Sequence, residues 1–165
     1  MLREKIFSDS KIIAFSEISE KVSKLKKESQ SVVFTNGCFD LLHAGHVRYL
    51  QKAASFGDIL LLGLNSDSSV RKIKGPTRPF IQQSERAFLL SAIEVIDYVV
   101  IFDEETPLRL IENVIPDVLV KGGDYLKDDI VGCDFVEENG GRVEVVSFLE
   151  GKSTTGIVNL ILEQA

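Results

Sequence analysis

The sequence contains few cysteines, no long apolar run and no recognisable secretory signal. Its longest apolar run, residues 59–64, is far shorter than the roughly 20 residues that a membrane-crossing helix needs. Residues 1–15 mix charged with apolar side chains, whereas a secretory signal has a continuous apolar segment. We therefore expect a cytoplasmic protein with no membrane span. Because Cys38 and Cys133 lie far apart without CxxC spacing, we expect packing roles for both and neither a zinc site nor a disulfide framework.

Positive charge is also scarce. The chain has 19 Lys and Arg against 25 Asp and Glu, which gives a net charge of -6. This balance argues against a nucleic-acid binder, because a phosphate backbone requires a basic surface. Any bound phosphate would have to be met by a local cluster of cations. With 165 residues, of which 44% are hydrophobic and 27% charged, the chain is expected to form one domain with a full core.

Apolar strands alternate with amphipathic helices along the chain. In a leading helix within residues 1–30, Ile18, Val22 and Leu25 recur at helical spacing behind Ser16, which is predicted to cap the first turn. Strands are predicted at 31–37, 58–65, 97–102, 117–123 and 142–148, and further helices at 47–55, 82–93, 106–114, 130–141 and 153–164. Continuous apolar strands between helices indicate a parallel sheet covered on both faces. The prediction is a doubly wound, Rossmann-like α/β domain of about five strands.

Ligands of such sheets bind beyond the carboxyl ends of the strands, where the strand order reverses. The segments that follow predicted strands are 35–46, 65–79, 121–125 and 150–156. No GxGxxG follows any strand. The stretch Gly151-Lys152-Ser153-Thr154 imitates the end of a P-loop, but Val146 stands where the first glycine is required. Neither common phosphate motif is therefore indicated.

Both histidines of the chain, His43 and His46, lie in one window, HAGH, between a predicted strand and a predicted helix. A helix amino terminus favours anions through its free N–H groups and its dipole. Imidazoles at that position can donate hydrogen bonds to phosphate oxygens. A single histidine is more often an ordinary core or surface residue, but the position of this pair indicates a site that handles phosphate.

Two signatures resemble those of a known superfamily. HAGH at 43–46 and STTGI at 153–157 resemble the HxGH and [ST]-[ST]-T-x-[IV] motifs of cytidylyltransferase-like nucleotidyltransferases. More closely, FTNGCFDLLHAGHVRYL, LNSDSSVRKIKGPTRP, IPDVLVKGGDY and the late STT resemble the adenylyltransferases of bacterial ADP-heptose synthesis, which act on D-glycero-β-D-manno-heptose 1-phosphate. The resemblance covers about residues 31–160. It implies a single nucleotidyltransferase domain over 1–165, with a catalytic core at 31–165.

The resemblance implies roles for individual residues. His43, His46 and Lys74 would be catalytic, because they would contact the triphosphate and stabilise the charge of the transition state. The residues that would bind the nucleotide are Thr35, Asn36, Gly37, Cys38, Phe39, Asp40, Lys72, Arg86, Lys121, Gly122, Gly123, Asp124, Ser153, Thr154 and Thr155.

Simpler interpretations stay open for several of these residues. Asp40 could orient its loop, help to hold magnesium or cap a helix. Arg86, in an ER pair that the family also has, could support the nucleotide or the loop, or be an exposed helix arginine. The basic RKIKG segment could be a solvated turn, and KGGD at 121–124 could be a turn chosen for positive φ. Capping alone would need only one of the three hydroxyls at 153–155.

The implied substrates are ATP and a small-molecule sugar phosphate. Magnesium would be carried with the nucleotide, since no cluster of carboxylates forms a dedicated metal site. A homodimer is compatible with the resemblance, because related enzymes often form dimers. In many bacteria the transferase is fused to a sugar kinase; no second domain is predicted here, and the start MLREKIF favours a stand-alone form.

Two other functions stay open. One is a cytidylyltransferase for glycerol 3-phosphate or a similar polyol or amino-alcohol phosphate. Glycerol-3-phosphate cytidylyltransferases have an arginine in an RTEGIST-like pattern, and Phe148 stands in its place here. This difference argues against the cytidylyltransferase function. The other is a regulatory module that binds nucleotide without turnover, and the presence of both histidines with Lys74 speaks against it.

Overall fold

The computed structural model of the protein describes residues 8–123, 125–147 and 154–164. Five parallel strands form one sheet in the order β3-β2-β1-β4-β5. The strands are β1 (Val32–Gly37), β2 (Ile59–Asn65), β3 (Tyr98–Phe102), β4 (Val118–Gly122) and β5 (Arg142–Val146). The helices are α1 (Ile18–Lys27), α2 (Ala44–Ala54), α3 (Asp67–Lys74), α4 (Gln83–Ser91), α5 (Leu108–Val114), α6 (Cys133–Glu138) and α7 (Thr154–Glu163). The predicted α/β class and five-stranded parallel sheet are confirmed.

The apolar strands divide their side chains between two cores. Because side chains alternate along a strand, Phe34 and Leu61 pack on one face of the sheet with α1, α5 and α6. Val33 and Leu60 pack on the other face with α2 and α4. All seven residues of β2 are buried, as expected for a strand inside a sheet that is covered on both faces.

Two local predictions were wrong. Ser16 does not cap α1, since it lies in a short 3₁₀ turn, Phe15–Glu17, that leads into the helix. The segment after β2 forms α3, where the sequence suggested a loop and a basic turn. Ser66 caps this helix by accepting a hydrogen bond from the Ser69 N–H, and Gly75 ends it at a φ of 100°. The Ser- and Asp-rich start of α3 therefore acts as a cap.

The strand order places the site. The chain adds β2 and β3 on one side of β1, then returns to add β4 and β5 on the other side. The loops that follow β1 and β4 therefore lead away in different directions and leave a crevice at the carboxyl ends of these strands. Among the described helices, none is long and apolar enough to cross a membrane.

Candidate functional site

A cleft of about 580 Å³ opens at the carboxyl ends of β1, β2 and β4, within the range of small-molecule sites. From the predicted site, the cleft is lined by Asn36, Gly37, Cys38, Phe39, Asp40, His46, Lys74, Lys121, Gly122 and Thr154. The fold thus brings together residues from all four segments that follow predicted strands.

The two histidines form a stacked pair at the amino terminus of α2. His43 is the extended N-cap residue of this helix, and its carbonyl accepts a hydrogen bond from the His46 N–H at 2.9 Å. The ring centroids lie 3.9 Å apart with 19° between the ring planes. His46 lines the cleft itself, whereas His43 stacks behind it.

Burial controls the protonation of His46. Burial, followed by the nearby His43, lowers the pKa of His46 from 6.5 to about 4, so its ring is neutral near pH 7. Phe39 adds to this burial by packing edge-on against His46, with ring centroids 5.2 Å apart. The buried Nδ1 of His46 meets no hydrogen-bond partner among the residues described by the structure. If the ring proton lies on Nε2, Nδ1 carries no hydrogen, and the ring then has no buried N–H group that lacks an acceptor.

The loop between β1 and α2 requires its glycine. Phe39 adopts a φ of 43°, which turns its ring back over Gly37. A Cβ atom at Gly37 would lie 2.8 Å from Cε2 of Phe39. Only glycine at position 37 allows this ring position, and with it the contact between Phe39 and His46.

Asp40 fastens a neighbouring loop to the site. Its buried carboxylate accepts hydrogen bonds from Arg78 Nε at 2.5 Å, the Phe80 N–H at 2.7 Å and the Ile81 N–H at 3.0 Å. Both carboxylate oxygens are therefore engaged within the protein. The alternative of a helix cap is wrong, because His43 occupies the N-cap of α2. Of the roles left open by the sequence, this geometry favours orientation of the loop.

Arg86 is a fully buried residue and makes no contact with the cleft. Its guanidinium donates to the carbonyls of Ile81, Cys38 and Asn65, at 2.8, 2.5 and 2.9 Å, and to the carboxylate of Asp67 at 2.7 Å. The prediction that Arg86 binds the nucleotide directly is therefore not supported by its position. Arg86 instead ties together the loops that follow β1 and β2.

The lysines of the RKIKG segment are separated by the geometry of α3. Lys74 is the last residue of the helix and lines the cleft. Lys72 lies two residues earlier, so the turn of the helix directs it elsewhere, and it is exposed outside the cleft. The placement therefore does not support the predicted ligand contact of Lys72.

Lys121 and Cys38 both line the cleft, and burial shifts the pKa of each. Burial lowers the pKa of Lys121, and Lys74 lowers it further, while Cys38 opposes the change. Burial raises the pKa of Cys38, so this residue is a protonated thiol near neutral pH. Cys133 is buried in the core as predicted, but Cys38 lines the cleft and does not serve packing alone.

Helix α7 begins beside the loop that leads from β1 into α2. Thr154 lines the cleft, and its hydroxyl donates to the Leu41 carbonyl at 3.5 Å. Thr155 lies in the first turn of the same helix. The predictions for the side chain of Thr155, and for Asp124, Phe148 and Ser153, lie outside the described residues.

Two further predicted contacts are not supported by the structure. Thr35 is fully buried, and its hydroxyl shares a 2.6 Å hydrogen bond with that of Tyr49, whose own hydroxyl reaches the Val120 carbonyl at 3.2 Å. Thr35 therefore joins β1 to α2 beneath the site. Gly123 does not line the cleft, and its N–H donates to the Val146 carbonyl.

Several cleft residues were missed by the sequence analysis. They are Tyr49, Asn65, Ile73, Arg78, Glu105, Thr106, Pro107, Leu119, Tyr125, Asp129, Ile130 and Val131. Some follow β2, β3 or β4 directly, so the rule on carboxyl ends of strands could have pointed to them. Asn65, Ile73, Arg78 and Tyr125 lie within the segments that carry the family resemblance, whereas no motif marks Glu105, Thr106 or Pro107.

Comparison with known proteins agrees with this geometry. A family model described as cytidylyltransferase-like matches residues 34–158. The chain is 59% identical over 155 residues to the bifunctional protein HldE of Geobacter metallireducens, covering 94% of this chain and 32% of that protein. It is 52% identical over 156 residues to HldE of Aliarcobacter butzleri, again covering 94% of this chain and 32% of the relative. The chain thus spans about a third of the length of these curated relatives.

A solved structure, described as the lipopolysaccharide core biosynthesis protein from Thermoplasma volcanium, has a similar fold. It matches with a TM-score of 0.61 and 27% identity, covering 74% of this chain and 99% of that chain. Since the family model spans well over half of the sequence, including the histidine pair and the start of α7, this chain belongs to the cytidylyltransferase-like family.

Proposed function

We propose that this protein is a nucleotidyltransferase that transfers AMP from ATP to D-glycero-β-D-manno-heptose 1-phosphate, giving ADP-heptose and pyrophosphate. The observation that carries the proposal is the convergence of His46, Lys74 and Thr154 on one cleft beside the amino terminus of α2. The resemblance to ADP-heptose adenylyltransferases, the similarity to HldE proteins and the likeness to a lipopolysaccharide core biosynthesis protein support the choice of substrate.

The reaction needs charge stabilisation more than acid–base chemistry. A phosphate oxygen of the sugar phosphate attacks the α-phosphorus of ATP, and the bond from this phosphorus to the bridging oxygen breaks. Pyrophosphate leaves with the electron pair, so negative charge grows on the bridging oxygen. Catalysis of such a step depends on positioning and on donors aimed at the developing charge.

The chain's residues would divide this work. The neutral His46 would donate a hydrogen bond from Nε2 to a phosphate oxygen, and the stacked His43 would hold its ring in place. Lys74 would supply a full positive charge, and Thr154 with the amino terminus of α7 would bind the outer phosphates. The loop at 36–39 would bring backbone groups close to the phosphates.

Magnesium would arrive with ATP and neutralise part of the triphosphate charge. The described residues offer no cluster of three or more His, Cys, Asp or Glu side chains that could hold a metal ion. This composition fits an ion that is bound mainly through substrate phosphates and water.

We also propose that the enzyme acts in the cytoplasm and without a nucleic-acid partner, in keeping with a net charge of -6.

A homodimer would cover some of the exposed apolar side chains on and before α4, which include Phe80, Phe88 and Leu89. Light scattering on the purified chain would measure its oligomeric state.

Substrate choice is tested by measuring pyrophosphate release with each of ATP, CTP, GTP and UTP, paired with heptose 1-phosphate or glycerol 3-phosphate. We expect turnover with ATP and heptose 1-phosphate. Turnover only with CTP and glycerol 3-phosphate would refute the heptose assignment. A folded wild-type protein that turns over none of the pairs would favour a regulatory module.

The role of the histidines is tested by the double change His43→Ala, His46→Ala. Removal of one preorganised donor commonly lowers the rate by about 100- to 1000-fold. We expect the double variant to keep its circular dichroism spectrum and to lose at least this much of kcat. Wild-type turnover in the double variant would exclude the histidines from the mechanism.

A further inference from the structure

The cleft contains carboxylates that phosphate binding does not explain. Lys74, Arg78 and Lys121 line it, as a site for a triphosphate requires, but the exposed carboxylates of Glu105 and Asp129 line it as well. A carboxylate repels phosphate, whereas it accepts strong hydrogen bonds from hydroxyl groups. Such a residue in this cleft is suited to the part of a ligand that carries hydroxyls.

The turn that carries Glu105 is fixed to α3, the helix of Lys74. The buried Ser69 of α3 donates from its hydroxyl to the Glu104 carbonyl at 2.7 Å. The Glu104 carboxylate accepts hydrogen bonds from the Asp103 N–H at 3.1 Å and from Arg109 at 2.9 Å. These contacts hold Glu104 within the turn. They also attach the backbone next to Glu105 to α3, the helix that ends with Lys74.

The carboxylate of Glu105 stays available to a ligand. It makes neither a hydrogen bond nor an ion pair with any residue in the described part of the chain. Its immediate neighbour Glu104 is engaged, although both residues are glutamates in the same turn. Of these two side chains, only that of Glu105 lines the cleft.

The two sides of the cleft differ in chemistry. On the side formed by α3 and the ends of β2 and β3, Glu105 is accompanied by Thr106, which offers a hydroxyl, and by the apolar Ile73 and Pro107. Asn65 also lines this side, but it is buried and its amide nitrogen already donates to the Ser69 hydroxyl at 2.9 Å. On the side that follows β4, Lys121 and Asp129 also line the cleft, but Tyr125, Ile130 and Val131 add an aromatic ring and apolar groups, which suit the flat face of a base. A polyhydroxylated sugar therefore fits the first side better.

We propose that Glu105 is a specificity-determining residue, whose carboxylate accepts hydrogen bonds from hydroxyl groups of the sugar phosphate on the side of the cleft that is formed by α3. This inference rests on the proposed function, because it requires an acceptor that is a sugar phosphate. Glu105 thereby selects acceptors with hydroxyls within its reach and leaves the binding of ATP to the other side of the cleft.

The test uses the full chain and the variant Glu105→Gln, which keeps the size of the side chain and removes its charge. Pyrophosphate release is measured with the concentration of heptose 1-phosphate varied at saturating ATP, then with ATP varied at saturating sugar phosphate. The glutamine keeps one acceptor oxygen but replaces the other by an NH2 donor, so a sugar hydroxyl loses its charged acceptor, which corresponds to roughly 10- to 100-fold in KM for the sugar phosphate. The KM for ATP should change by less than about twofold, within the scatter of surface substitutions.

Asp103→Asn is the matched control, because Asp103 is an exposed carboxylate in the same turn that lies outside the cleft. It should leave both KM values unchanged. An unchanged KM for the sugar phosphate in Glu105→Gln would overturn the proposal, since it would make Glu105 a merely solvated residue. An increased KM for ATP, or an increased requirement for magnesium, would also overturn it by placing Glu105 on the nucleotide.

Failure of the proposed function would be seen separately. If the wild-type protein releases no pyrophosphate with any sugar phosphate, the proposed function is wrong, and the role of Glu105 falls with it before any variant is made. If the wild type turns over and only Asp129→Asn raises the KM for the sugar phosphate, the function stands. In that case the sugar lies on the opposite side of the cleft, and the role of Glu105 is refuted.

Discussion

Replacement of Arg86 by lysine tests whether this buried guanidinium holds the loops of the site together. Arg86 donates four hydrogen bonds, to three backbone carbonyls and to Asp67. A lysine ammonium keeps the charge but concentrates its donors at one point, so it cannot reach acceptors that surround a planar fork. At least one or two buried carbonyls would lose their partner in Arg86→Lys.

The expected cost follows from these contacts. Each buried acceptor left without a partner costs about 1–3 kcal/mol, so Arg86→Lys should lower the free energy of unfolding by about 2–4 kcal/mol. For a domain of this size the midpoint temperature should fall by roughly 5–15 °C. Because Arg86 binds the carbonyl of Cys38 in the loop beside the histidines, the KM for ATP should rise as well.

Urea denaturation followed by circular dichroism measures this loss, provided that the slope of free energy against urea stays constant. Arg48→Lys is the matched control, since Arg48 is an exposed arginine on the outer face of α2. The control should unfold within about 0.5 kcal/mol of the wild type. If Arg86→Lys were as stable as Arg48→Lys, the four hydrogen bonds of Arg86 would not be needed to hold the loops of the site together.

Two further predictions concern the groups that line the cleft. The pKa of His46 is lowered from 6.5 to about 4, so between these pH values the unfolded chain takes up a proton that the folded protein does not. The free energy of unfolding should therefore fall as the pH drops from 6.5 to 4, by about 1–2 kcal/mol after allowance for the exposed part of the ring. An NMR titration of the His46 ring checks this, and a midpoint near 6.5 would contradict it. Lys74→Ala should lower kcat/KM by about 100-fold, whereas Lys72→Ala should change it less than threefold, because only Lys74 lines the cleft. Steady-state rates of pyrophosphate release compare the two variants. Equal losses of kcat/KM would show that position on α3 does not make Lys74 more important than Lys72.

Much of the fold could be predicted because its signals are local. The strands at 32–37 and 59–65 begin with continuous apolar runs, and this pattern indicates a sheet with both faces covered. The main miss was α3, whose start, DSS, is rich in residues that also favour turns. Its helical state depends on the cap made by Ser66 and on the packing of Val70 in the interior. Propensity alone could not decide between these alternatives.

The site was predicted less evenly. The pattern HAGH at a strand-to-helix junction pointed to His43 and His46, and the structure stacks their rings. Arg86 could not be placed from SERAF, because its acceptors at Cys38 and Asn65 are distant in sequence. Glu105 lies in a turn without any motif, and its position in the cleft and the engagement of Glu104 with Arg109 distinguish the two residues.

The sequence by itself determined the alternation of strands and helices, the parallel sheet and the phosphate-handling character of the segment around the histidines. The alternation and the sheet follow from periodicity, and the phosphate-handling character of the histidine segment, which stays a prediction, follows from residues that are neighbours in the chain. Only the tertiary structure decided which of Lys72 and Lys74 lines the cleft, that Thr35 and Arg86 are buried beneath it, and that Glu105 lines it. Those outcomes depend on the crossing of loops that are far apart in sequence, and burial and contact between such loops are set by packing, which no local pattern records.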